Sequence, residues 1–152
     1  MEFINYIQQQ IKQYCQRLIL LVILFSLFSM PITLADVSPI ELKISLGNSS
    51  GELKFFPDNL TFKTGQQYKL LLDNPSPSKH YFTAKDFADA SWTKKVQAGK
   101  VEVKGAIHEL ELKPEATAEW VITPMKPGQY ELHCSIPGHA DSGMVGKIVV
   151  AN

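Results

Sequence analysis

Tyr130-Glu131-Leu132-His133-Cys134-Ser135-Ile136-Pro137-Gly138-His139-Ala140-Asp141-Ser142-Gly143-Met144-Val145-Gly146 is the stretch whose reading decides the fold. Tyr130, Leu132 and Cys134 recur every second residue, so they share one face of a strand. Tyr130 and Leu132 are apolar, which turns that face inward and carries Cys134 with it. Ile136-Pro137-Gly138 breaks the strand, and His139 falls on the loop that follows. Met144 closes the loop just before the last strand, Ile148 to Val150, begins. Cys-x4-His-x4-Met therefore hangs three metal-binding side chains on one strand-loop-strand unit. A second imidazole must come from elsewhere. His80 stands just after Asn74-Pro75-Ser76-Pro77-Ser78 and before apolar Tyr81-Phe82, with His108 as the one reserve.

The donor set selects its metal. A thiolate, two imidazoles and a weak axial thioether make the trigonal arrangement of a blue copper electron-transfer site. A structural zinc site asks for four strong Cys or His ligands, and a thioether is a poor one for zinc. Thiolate and imidazoles tolerate Cu(II), while thiolate and thioether hold Cu(I). A rigid β scaffold would change little between the two states. Taken singly, Cys134 reads as a buried thiol, His139 as a loop residue and Met144 as core filler. Their joint spacing, ahead of Gly-x-Ile-x-Val, argues for one site holding one copper ion.

The rest of the chain supplies short strands. Ile40 to Leu46 alternates apolar and polar residues. Leu53 to Phe56, Leu60 to Phe62, Tyr68 to Leu72, Ile107 to Leu112, Ala118 to Thr123, Gln129 to Ser135 and Ile148 to Val150 read the same way. Turns at Pro57-Asp58-Asn59, Lys113-Pro114 and Lys126-Pro127-Gly128 separate them. Lys85 to Trp92 predicts a helical turn or two. No helical span is long enough for a parallel βαβ crossover. The pattern predicts an all-β sandwich, with Trp92 and Trp120 as core aromatics.

Residues 1–35 are expected to stand apart from this fold. Lys12 and Arg17 precede a run without charge from Leu18 to Ala35, whose first part is strongly apolar, and Thr33-Leu34-Ala35 offers small residues for cleavage. This is the pattern of a signal peptide cut after Ala35. The alternative is an uncleaved anchor that associates with a membrane through residues 18–35. Export to a periplasm, a lumen or the outer face of a membrane follows on either reading. The domain then occupies residues 36–152. It keeps one cysteine, Cys134, which excludes an internal disulfide, and metal ligation would protect that thiol.

Charge excludes other classes. The 152 residues carry 15 Lys and Arg against 15 Asp and Glu, so nothing draws the chain to nucleic acid. No Gly-rich phosphate cradle is present, and a Cys134–His139 nucleophile pair lacks an oxyanion element. A dinuclear copper centre would need a second Cys four residues after the first, where Gly138 stands.

The segment Tyr130 to Val150 resembles the copper-binding loop of the cupredoxins, the blue copper proteins that include plastocyanin, azurin and halocyanin-like chains. The resemblance extends in strand order over most of residues 40 to 152. It implies a Greek-key β-sandwich and electron transport without enzymatic activity. It implies His80, Cys134 and His139 as equatorial ligands of one type 1 copper ion, with Met144 as the long axial ligand. It also implies a monomer whose redox partner proteins dock at an apolar patch around His139. That patch would comprise Ile136, Pro137 and Ala140, with Pro75 or Pro77 beside them. One departure stands out. Plastocyanin and azurin usually follow the first His with Asn, and here Tyr81 follows His80, which leaves the hydrogen bonding to Cys134, and with it the reduction potential, unassigned. The stretch from Phe87 to Val103 is also long for a minimal plastocyanin.

Two histidines remain. Strand alternation turns His133 away from Cys134, as a solvated residue. A second copper centre beside it would need further histidines, often as His-x-His pairs, which are absent. His108 shares an alternation with Leu110 and Leu112, which predicts a semi-buried, hydrogen-bonded residue. A copper chaperone or storage protein is the competing function, but such sites use several methionines, and only Met144 is placed to ligate.

Overall fold

The computed structural model describes residues 2–27 and 38–152. The cleavage point expected after Ala35, and the apolar run beyond residue 27, lie outside these residues. The chain divides into two units, Met1–Val37 and Ser38–Asn152. In the first, α1 runs over Glu2–Leu27. Among the described residues no helix is long and apolar enough to cross a membrane.

In the second unit the alternating segments pair into two sheets. Its strands are β1 (Ile40–Leu46), β2 (Phe55–Phe56), β3 (Asn59–Lys63), β4 (Tyr68–Asp73), β5 (His80–Thr83), β6 (Ser91–Ala98), β7 (Val101–Val103), β8 (Glu109–Leu112), β9 (Thr117–Pro124), β10 (Gly128–His133) and β11 (Val145–Ala151). A short helix, α2 (Lys85–Asp89), separates β5 from β6. One sheet has the order β2-β1-β4-β9-β6-β7 and the other β3-β11-β10-β5-β8. β1 pairs with β4 in parallel, as β3 does with β11, and the remaining pairs are antiparallel. The result is the Greek-key sandwich that the resemblance implied.

Period-two patterning builds the core. β3 buries Leu60 and Phe62, β4 buries Tyr68, Leu70 and Leu72, and β9 buries Ala118, Trp120 and Ile122. Trp120 is the largest fully buried side chain. Its ring meets Phe82 edge-on at 5.9 Å between centroids, and its indole N–H donates to Thr93 Oγ1 at 3.1 Å. That bond satisfies the one polar atom the ring takes into the interior.

Trp92 is not a core aromatic. It is 54% exposed. The predicted helical stretch ends at Asp89, and Trp92 belongs to β6, where it pairs with Thr123. Trp120 and Ile122 point inward from β9, so Thr123 and its partner Trp92 point outward. The long stretch beyond Phe87 is the β6–β7 hairpin, which extends one sheet by an edge strand.

Candidate metal centre

The two strands that deliver the ligands are neighbours with little pairing between them. β5 and β10 share one registered pair, His133 with Thr83. Beyond that pair no further residues of the two strands are registered, and Cys134 follows directly on the end of β10. Cys134 Sγ lies 4.0 Å from His80 Nδ1 and 3.5 Å from His139 Nδ1. The three donor atoms lie within 4.8 Å of one another. His80 and Cys134 are buried, and His139 is half-buried. Met144 is fully buried, and its backbone clasps both ligand residues. Its N–H donates to the His139 carbonyl at 2.9 Å, and the Cys134 N–H donates to the Met144 carbonyl at 3.1 Å. The structure thus brings the donor atoms of His80, Cys134 and His139 together and joins Met144 to two of these residues through its backbone.

Neighbouring groups orient these side chains. The backbone N–H of Tyr81 donates to Cys134 Sγ at 3.4 Å. This supplies the donor that the missing Asn had left unassigned. His80 Nε2 lies 3.0 Å from Ser76 Oγ. Asn74, also buried, donates to the carbonyls of Ser78 and Leu112 at 2.8 Å each and accepts from the Ser76 N–H at 3.0 Å. On the outer face, the Glu109 carboxylate accepts from Thr83 Oγ1 at 3.0 Å and from Ser135 Oγ at 2.6 Å. That carboxylate ties the end of β5 to the loop after Cys134. Burial, and then the neighbouring His139, hold the His80 imidazole below its ordinary titration range. The ring is therefore neutral at pH 7, the state in which a histidine can ligate.

Comparison with known proteins places this arrangement. A family model described as a cupredoxin-like domain matches residues 17–150. The chain belongs to the cupredoxin-like family. A curated relative of this cupredoxin is the copper-resistant cuproprotein CopI of Rubrivivax gelatinosus, 30% identical over 105 residues. That match covers 66% of this chain and 62% of the relative. Plastocyanin of Mercurialis perennis is 28% identical over 109 residues, covering 72% of this chain and 99% of the relative. Among solved structures, auracyanin from Roseiflexus castenholzii superposes with a TM-score of 0.55 at 20% identity, over 76% of this chain and 99% of that one. The nitrite reductase of Thermus scotoductus superposes with a TM-score of 0.57 at 14% identity, but over only 31% of its own chain.

The donor geometry of this cupredoxin fits copper. With a metal–sulfur bond of about 2.3 Å, a metal–nitrogen bond of about 2.0 Å and a trigonal angle, sulfur and nitrogen stand about 3.7 Å apart. The observed 3.5 and 4.0 Å bracket that value. One thiolate, two imidazoles and a thioether-bearing residue, largely closed to water, match the softness of copper.

The remaining histidines lie elsewhere. His133 Nδ1 sits 3.1 Å from the Glu131 carboxylate. His108 is hydrogen-bonded as expected, to Asp89 at 2.7 Å, but it is exposed rather than semi-buried. β8 begins at Glu109, so the alternation that buries Leu112 does not extend back to His108. Sequence reasoning missed Asn74 and Ser76, both of which lie in the loop leading to His80. The signal for Ser76 was a polar residue between prolines, four residues before a ligand.

Proposed function

We propose that this cupredoxin is a mononuclear blue copper electron carrier, with His80, Cys134 and His139 as equatorial ligands and Met144 as the axial one. The observation that carries this reading is the convergence of three donor atoms within 4.8 Å, one of them a thiolate-forming sulfur buried in the core. When bound, copper would supply a one-electron Cu(I)/Cu(II) couple. The chain's own contribution is a fixed frame. Cys134, His80 and Met144 are locked by the core and by backbone hydrogen bonds, so the donor positions change little on electron exchange.

His139 is the half-buried edge of the centre. Exposed Pro137 and half-buried Ile136 and Ala140 lie on its loop, and Pro75 and Pro77 are exposed on the loop before His80. A redox partner protein docking on this apolar surface would meet the imidazole directly. The reading takes the protein to be a monomer acting outside the cytoplasm, without enzymatic activity of its own. The uncharged run from Leu18 supports export or membrane attachment.

Visible absorption and EPR test this function. The copper-loaded protein is expected to be intensely blue through thiolate-to-Cu(II) charge transfer, and Cys134→Ala to be colourless. A colourless Cu(II) form of the intact protein would refute the ligand set. The CopI relative, named for copper resistance, favours a second reading in which the site holds copper rather than passing electrons. Reversible one-electron voltammetry distinguishes the two, because a storage site would bind one oxidation state and lose the ion in the other.

A further inference from the structure

The two nitrogens of His80 face different partners. Nδ1 faces Cys134 Sγ at 4.0 Å, and Nε2 faces Ser76 Oγ at 3.0 Å. An imidazole that ligates through Nδ1 carries its proton on Nε2, so Nε2–H donates to the Ser76 hydroxyl. Ser76 is itself 2% exposed, and water does not compete for this bond. Its hydroxyl oxygen also accepts from the Ser78 N–H at 3.3 Å, and its own N–H donates to Asn74 Oδ1 at 3.0 Å. The hydroxyl is therefore held in place before any metal arrives.

Gly47 closes the flank of this pair. It adopts φ +76°, and a Cβ there would stand 2.9 Å from Ser76 Cβ and 3.2 Å from His80 Nε2. A side chain at position 47 would therefore collide with Ser76 and crowd the His80 ring, and the positive φ favours glycine as well. No side chain other than hydrogen fits in this contact.

We propose that Ser76 is the positioning residue for His80. Its hydroxyl fixes the Nε2–H tautomer and aims Nδ1 at the metal. This assignment rests on the copper reading above. Partners of this kind at metal-bound histidines typically change metal affinity 10- to 100-fold.

The test has two arms. In the first, nitrogen-15 NMR of the metal-free protein, in mildly alkaline buffer, reads the His80 tautomer. The wild type is expected to show Nε2–H alone, with its proton close to the Ser76 β-protons. In the second, chelator competition compares Cu(II) affinity of the wild type and Ser76→Ala. The variant is expected to turn blue at saturation, because Cys134 is intact, but to bind about 10- to 100-fold more weakly. A mixed or Nδ1–H tautomer in the wild type would overturn the proposal, as would a Ser76→Ala affinity within about twofold of wild type. If the variant does not fold, the wild-type tautomer decides. If the wild type itself stays colourless with Cu(II), the copper reading fails separately, and the NMR arm still decides the role of Ser76.

Discussion

Asn74→Ala removes one amide and disturbs three backbone groups at once. The side chain donates to the carbonyls of Ser78 and Leu112 and accepts from the Ser76 N–H, at 2.8, 2.8 and 3.0 Å. The residue is 1% exposed, so water does not replace it at the Leu112 carbonyl or the Ser76 N–H, whereas Ser78 is exposed. Leaving a buried polar group unpaired costs about 1–3 kcal/mol. The Leu112 oxygen keeps a second lone pair, so the low end applies, and the two buried groups at about 1 kcal/mol each give about 2 kcal/mol. A domain with a stability of about 5–15 kcal/mol would lose a large fraction of it. The assay is urea unfolding of the metal-free protein, with the midpoint moving at constant slope. The loop from Asn74 to Ser78 also leads into His80, so Cu(II) affinity is expected to fall in the same variant. A loss below about 1 kcal/mol would show that the loop is held by its prolines instead, and would refute the hydrogen-bond reasoning.

Other perturbations test other links. Met144→Leu is expected to keep copper and colour but to raise the reduction potential, since a donor to the metal is lost; voltammetry giving an unchanged potential would remove Met144 from the axial position. Trp120→Ala should destabilise the fold by about 3–5 kcal/mol, because it empties the centre of the core and leaves Thr93 Oγ1 without its donor; calorimetry or denaturant unfolding showing less than about 1 kcal/mol would contradict the packing. The Tyr81 hydroxyl first, and then Lys79, hold the Glu111 carboxyl below its ordinary range. A carboxyl depressed by folding stabilises above its unfolded pKa, and that stabilisation is lost as pH falls through the folded value. An NMR titration of Glu111 is expected to show a low midpoint that rises toward the usual value in Tyr81→Phe; a midpoint that does not move would dismiss the Tyr81 contact.

The parts of the site that the sequence disclosed are those where chemistry and chain order coincide. Cys134, His139 and Met144 lie on one short loop, and their reading needed only alternation and spacing. His80 was legible because few histidines competed for the role. The orienting groups were not. The donor to the sulfur is the amide of Tyr81, and a backbone N–H leaves no mark in a sequence. Ser76 and Asn74 sit in a Pro-rich loop of the kind that is usually exposed, and only the folded path shows them buried. The sandwich followed from period-two patterning, since Leu60, Phe62, Leu70 and Leu72 alternate cleanly. Trp92 was misplaced because facing depends on register with β9, and the irregularity between Thr93 and Lys95 adds a shift that no local pattern announces.

Where β5 and β10 separate, Tyr81 offers its amide proton to a sulfur atom rather than to a carbonyl. That proton senses directly how much negative charge the sulfur carries. With copper bound as proposed, the peptide group of a single residue would carry a trace of the charge on the metal's sulfur ligand.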